Sequence, residues 1–457
     1  MLRRYRKLID LLVILSTATL YLIQFYVLDL GFNGAWVSAS CALLAITIFT
    51  RSLRPDFTQS LTAKNLALGV FALKLFVAPL SISVYGFKYA TLFYIPSSLA
   101  VNNAYNLVVI SFFSFAVGWA LIYKDRNSNV QRQHSLEDVR TPMRFGILLL
   151  VIGLLGMVLR YQTLGDYLNS VYVRYEASSP SILQFLGSLL KPLAVFGVAV
   201  IWENLIRRSK IDLYRIAITL VACLIIVALS LSSNRATIVY PLIAFLAMVS
   251  VKYRPLSLAP LVGIFVVSLP IISAFGDFRV GGRTDGGSIE SGIEQLQVYF
   301  GAPQFIAPML ETELGSESAT VKSSLLESLP IVGESYRYTS GSYVYNQVIY
   351  RNLISIVRDQ VYPVAAEIFI NFGLLGMIMT HIFIGMVYCR LDAIYLSLAN
   401  KGIVPMAFFL LILYFNASII LSISVLSQFF IYNALAPLLV IWGFMLVNRS
   451  KTTREKR

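Results

Sequence analysis

The chain has 457 residues, 57 % of them apolar and 13 % charged, with a net charge of +14 and a mean hydropathy of +0.74. A soluble protein carries about 25 % charged residues, so this composition excludes a soluble enzyme, a disordered chain and a fibrous repeat. It predicts an all-α polytopic membrane protein, because only helices satisfy every backbone polar group of a chain this apolar inside a bilayer.

Runs of about 18 or more residues with few charges are candidates for spanning helices. Twelve are predicted, at about 8–28, 33–50, 65–84, 104–123, 143–159, 183–202, 214–231, 236–251, 256–275, 363–389, 403–422 and 428–447. Arg3, Arg4, Arg6 and Lys7 precede the first run, but no small-residue cleavage site follows it, so it reads as an uncleaved first helix. With the N-terminus in the cytoplasm, the inner segments hold 25 Lys and Arg and the outer segments ten. Both termini are therefore expected in the cytoplasm. The basic balance then reflects topology and attraction to anionic lipid, and no nucleic-acid partner is expected. Cys41, Cys223 and Cys389 all fall within apolar runs, and His134 and His381 are the only histidines, so neither a disulfide nor a metal site is expected.

The chain divides into nine spans at 1–275, a large outer loop at 276–360, and three spans with a basic tail at 361–457. The loop holds six basic and ten acidic residues and a glycine-rich stretch from Gly281 to Gly287. Ile293, Leu296, Tyr299 and Phe300 recur at helical spacing and predict an amphipathic helix on the outer membrane face. A loop of this length is usually functional or disordered, and its many tyrosines favour an ordered cap. A second outer segment, 160–182, carries Arg160, Asp166, Arg174, Tyr175 and Glu176.

No P-loop, dinucleotide fingerprint, metal-ligand cluster or Ser-His-Asp set is present. The outer face offers arginine, carboxylate and tyrosine, which suit an anionic substrate, a sugar, or both. Arg235 sits in a tight turn, Ser232-Ser233-Asn234-Arg235, where a guanidinium either clamps a phosphate with two N–H bonds or pairs with lipid headgroups. Arg174 is a second clamp candidate or a solvated loop charge. Arg279 and Arg283 flank the glycine cluster, which can wrap a phosphate or act as a hinge. Glu367 opens the tenth span, where the helix dipole favours a carboxylate, and burial would suit it as a general base. Asn371 lies four residues on, on the same helix face. His381 is about 21 Å further along that helix at 1.5 Å per residue, too far to share a site, and reads as a core histidine. Lys74 and Lys191 fall mid-span and either snorkel, pair with a carboxylate or touch substrate.

Three local patterns lie in a telling order. They are Gly165-Asp166-Tyr167-Leu168 followed by Arg174, then Ser233-Asn234-Arg235, then Pro363…Glu367…Asn371-Phe372-Gly373-Leu374-Leu375-Gly376. Together with about a dozen spans and one large loop before the last three, they make the chain resemble the O-antigen or oligosaccharide repeat-unit polymerases of the Wzy type. The resemblance implies a GT-C-like fold in a bacterial inner membrane, with a periplasmic active site and no metal or nucleotide-sugar cofactor. It implies inverting transfer of a growing glycan from undecaprenyl diphosphate to a lipid-linked repeat unit, with a chain-length regulator and a flippase as further partners. Carried over by position, Arg174, Arg235, Arg279 and Arg283 would hold diphosphate and Glu367 would be the base. Tyr299, Tyr336 and Asn371 would contact glycan. The alternatives are an O-antigen ligase and a lipid-linked oligosaccharide flippase. The ligases usually carry a loop histidine that this loop lacks, and the chain shows no paired halves with matching broken helices of the transporter kind.

Overall fold

The computed structural model describes residues 2–56, 59–86, 97–124, 141–169, 181–208, 211–231, 235–253, 293, 296–297, 300–311, 320–329, 332–350, 363–398, 402–416, 422–440 and 442–443. Among them no strand occurs. The helices are α1 (Leu2–Leu28), α2 (Phe32–Phe49), α3 (Ala63–Tyr85), α4 (Ser98–Ile122), α5 (Met143–Tyr161) and the short α6 (Leu164–Asn169). They continue with α7 (Ile182–Leu190), α8 (Pro192–Arg208), α9 (Asp212–Leu229) and α10 (Arg235–Lys252). In the large loop lie α11 (Ala302–Glu311), α12 (Thr320–Leu326), α13 (Gly333–Arg337) and α14 (Gly341–Tyr350). The last three are α15 (Val364–Ser397), α16 (Val404–Phe415) and α17 (Ile423–Val440).

Among the described residues, nine helices are long and apolar enough to cross a membrane, counting α7 and α8 as one, and α10 and α16 supply two shorter apolar helices. Over the described residues the chain is all-helical, and it is a membrane-spanning protein. The expected span at 256–275 lies outside the described residues.

Small residues let these helices approach closely where lipid supplies no hydrophobic force between them. The α4–α15 contact is the clearest case: a Cβ on Gly118 would collide with the Ile382 carbonyl, and one on Gly385 with the Phe115 carbonyl. Phe115 and Tyr388 then meet edge to face at 5.6 Å. In α3 the residues Leu73–Val77 form a π-turn. The disturbed ladder there is satisfied from outside: the Leu75 carbonyl accepts from Tyr105 Oη (2.8 Å) and Ser40 Oγ (3.1 Å). Lys74, in the same turn, is buried, as is His381, whose Nδ1 bonds to the Met377 carbonyl at 2.9 Å. That is the core role expected for His381.

The 34 residues of α15 would span about 51 Å if straight, against roughly 30 Å of hydrocarbon. Gly373 resolves the excess. Its φ of 67° lies in the left-handed region and kinks the helix. Glu367 and Asn371 therefore sit on a short helical segment set off from the rest of α15.

The bundle has two ends. At the one carrying the N-terminus, Asp10 accepts from the Arg51 and Ser52 amides (3.2 and 3.0 Å), Asp392 accepts from the Ala63 amide (2.7 Å), and Lys7 Nζ donates to the Leu121 carbonyl (3.2 Å). The large loop packs on the opposite end. Gln297 Nε2 donates to the Gly86 carbonyl (3.1 Å), and Glu311 accepts from the Ser97 amide (2.6 Å). Ile306, Ala307 and Met309 of α11 are buried, and this helix packs on α4. Most of the stretch predicted as an amphipathic helix around Ile293–Phe300 lies outside the described residues.

Candidate functional site

The site forms where the loop helices meet the ends of α15 and α17. Four residues interlock in two i, i+4 pairs. Ser324 Oγ donates to Glu367 Oε1 at 2.5 Å, and Asn371 Nδ2 donates to Thr320 Oγ1 at 2.9 Å. One turn of α12 is therefore matched to one turn of α15. Ser324 Oγ also accepts from the Gly341 amide at 2.9 Å, tying in the start of α14. Glu367 is 1 % exposed, and its Oε2 has no donor among the described residues.

A seam of hydroxyls continues from this point. Ser328 and Ser427 share a bond at 2.9 Å, as do Ser342 and Ser424. Glu327, half-buried, follows α12. Its amide donates to the Ser323 carbonyl (2.8 Å), and Ser340, Ser424 and Arg337 lie within electrostatic reach of its carboxylate. Burial pushes the Glu327 carboxyl above the usual carboxylate range, while the two hydroxyls and Arg337 pull it back. Glu327 and Glu367 lie within electrostatic reach of each other.

The cationic half is built at a helix break. Lys191 separates α7 from α8, and Pro192 has no amide to continue the ladder. Lys191 Nζ donates to Tyr161 Oη (3.2 Å) and to the Leu231 carbonyl (3.1 Å), and it stands 5.2 Å from the ring centres of Tyr161 and Tyr167. The Arg160 guanidinium lies 5.3 Å over the Tyr161 ring and donates to Ser188 Oγ. Its Nε is buried without an acceptor. Among the described residues no carboxylate forms an ion pair with either cation. The two halves are linked by α17, whose Tyr432 packs edge to face on Phe185 of α7 at 5.6 Å and whose Ser427 Oγ donates to the Ser324 carbonyl at 3.3 Å.

The expected site residues divide as follows. Glu367 and Asn371 are brought together against α12. Tyr336 is half-buried on α13, with Lys322 Nζ 5.8 Å from its ring centre. Arg235 is the first residue of α10, four positions after the Leu231 carbonyl that receives Lys191. Arg174, Arg279, Arg283 and Tyr299 lie outside the described residues. Reading the sequence did not single out Glu327, Arg337 or Ser324, since nothing local separates them from other loop residues. Lys191 carried a signal in the Lys191-Pro192 pair, which marks a helix break inside an apolar run. Comparison with protein-family models, with curated proteins and with solved structures returned no match.

Proposed function

We propose that this chain is a glycosyltransferase of the lipid-donor class, a repeat-unit polymerase that moves a growing glycan from undecaprenyl diphosphate to a lipid-linked repeat unit. The observation that carries this reading is that α17 joins the two halves at one end of the bundle: its Tyr432 packs edge to face on Phe185 of α7, the helix that ends at Lys191, and its Ser427 donates to the carbonyl of Ser324, the residue bonded to Glu367. The site lies at the end of the bundle capped by the large loop. The residues match the chemistry of such a transfer. Diphosphate departs as an anion, and cations held ready in a poorly solvated site stabilise the charge that develops on it. The acceptor hydroxyl must lose a proton as it attacks the anomeric carbon, and a carboxylate facing the sugar takes it. The seam of serine hydroxyls and Tyr336 offer hydrogen bonds and a ring face to a glycan.

The proposed setting is a bacterial inner membrane with both termini cytoplasmic, following the distribution of Lys and Arg. The capped end then faces the periplasm, with Arg235 at its rim. Deleting the gene in its native strain should leave surface glycan of a single repeat, restored to long chains by the wild-type gene. Accumulation of lipid-linked polymer would indicate a ligase instead. Accumulation of lipid-linked repeat units on the cytoplasmic face would indicate a flippase.

A further inference from the structure

We propose that α12 and the segment of α15 from Val364 to Phe372 form a lid that turns about Gly373 and closes on α17 along the serine seam. For what the lid admits, this rests on the polymerase reading above, which it deepens by giving the same site a way to open. The joint is Gly373. Its φ of 67° and ψ of −173° are a combination essentially confined to glycine. Beyond the adjoining backbone, no atom of the described residues lies within 4 Å of where a Cβ would stand, so close packing is not what calls for glycine here. Phe372, Leu374 and Leu375 beside it are exposed, which puts the bend at the surface of the bundle and not in its packed core. A single residue that absorbs a large backbone angle at the end of an element is the usual form of a hinge.

The bonds on the two sides of α12 differ in what it costs to part them. Toward α15, Ser324 Oγ is bonded to Glu367 Oε1 (2.5 Å) and Thr320 Oγ1 to Asn371 Nδ2 (2.9 Å). Glu367 is 1 % exposed, so pulling α12 away from it would strand a buried carboxyl, the costlier break. The two elements therefore move as one. Toward α17 the bonds join neutral groups. Ser328 Oγ meets Ser427 Oγ (2.9 Å) and the Ser424 carbonyl (3.3 Å), and Ser427 Oγ meets the Ser324 carbonyl (3.3 Å). Ser342 Oγ and Ser424 Oγ extend the seam at 2.9 Å. Ser328, Ser342 and Ser427 are half-buried, so water takes over these bonds as the seam parts, at little net cost. Across the site, α17 stays with the cationic half, because its Tyr432 packs on Phe185 of α7. Opening the seam thus separates the carboxylate half from the cationic half and lets a lipid-borne headgroup enter between them. Closing brings both halves onto it and shuts out water. The seam is closed in the structure.

The test uses the full-length chain in nanodiscs, with lipid extract from the deletion strain as substrate. In Ser328→Cys/Ser427→Cys two thiols replace hydroxyls that stand 2.9 Å apart, and mild oxidation should join them and lock the lid shut. The locked chain should extend glycan about tenfold or more slowly than the same variant kept in dithiothreitol, since turnover needs the lid to open. Reduction should restore the rate, and each single variant should be indifferent to oxidant. A second readout does not use activity. The thiol introduced by Ser427→Cys should react with a water-soluble maleimide about fivefold faster when Gly373→Ala is also present, because alanine disfavours the bend of the closed lid. The native cysteines in Gly373→Ala alone should label at the wild-type rate, which shows that the fold is kept. Locked and reduced chains that extend within about threefold of each other, or equal labelling with and without Gly373→Ala, overturn the lid and leave the polymerase reading standing. Absence of polymer from the wild-type chain overturns the polymerase reading, and the labelling comparison then decides the lid by itself.

Discussion

Arg160 and Lys191 lie against the same ring, that of Tyr161, at 5.3 and 5.2 Å from its centre. Two like charges in one poorly solvated place repel, and each carries a desolvation cost that an anion would offset. The aromatic faces and the Leu231 carbonyl hold the cations in position but supply no full negative charge. On the proposed reading, this arrangement is a receptor for an anion.

The first prediction follows directly. Pyrophosphate should raise the melting temperature of the purified protein, since a ligand that binds only the folded state stabilises it by about 2.7 kcal/mol at 100 times its Kd. In Arg160→Ala and in Lys191→Met the affinity should fall roughly 30-fold, from the loss of about 2 kcal/mol per charge-assisted bond. Differential scanning fluorimetry across a pyrophosphate series checks this. An unchanged thermal shift in both variants would remove the anion site.

The second concerns the attachment of the loop. Ser324→Ala removes the donor to Glu367, whose other oxygen already has no partner, and should destabilise the cap by about 1–3 kcal/mol. Limited proteolysis of membranes should then cut within 312–362 several times faster than in wild type. Equal cutting rates would show that the Ser324–Glu367 bond does not hold α12 in place.

The third is a pH dependence with a fixed sign. Burial raises the folded-state pKa of Glu327 above its unfolded value of 4.5. The folded state therefore binds the proton more tightly, and stability declines as pH rises from 4.5 through the raised value. Glu327→Gln removes that decline. The variant should match wild type near pH 4 and exceed it in melting temperature near pH 8, and a difference independent of pH would argue against a buried carboxyl.

The spanning helices were readable because hydropathy reports on solvent, which acts on each residue where it stands. The pairing of Glu367 with Asn371 was readable because helical spacing alone puts both on one face. What Glu367 bonds to was not, since Ser324 comes from 43 residues earlier and only tertiary packing brings it near. The same holds for Arg160 and Lys191, whose meeting depends on α5 and α7 packing side by side. The kink at Gly373 escaped because its neighbours, Phe372, Leu374 and Leu375, extend an apolar run in which one glycine carries little weight.

A fourth prediction tests the membrane core. Gly118→Ala places a Cβ against the Ile382 carbonyl, backbone that cannot rotate away. The cost should be about 1–3 kcal/mol, the usual range for overpacking, seen as a lower melting temperature and reduced membrane yield. A variant as stable as wild type would mean that α4 and α15 can separate freely at this point.

The most direct measurement is made with the purified wild-type chain, supplied only with undecaprenyl-diphosphate-linked repeat units and neither metal nor nucleotide sugar. A ladder of polymer, with one undecaprenyl diphosphate released per linkage formed, is the result predicted. Intact repeat units, recovered unchanged from protein that binds pyrophosphate, would contradict the account.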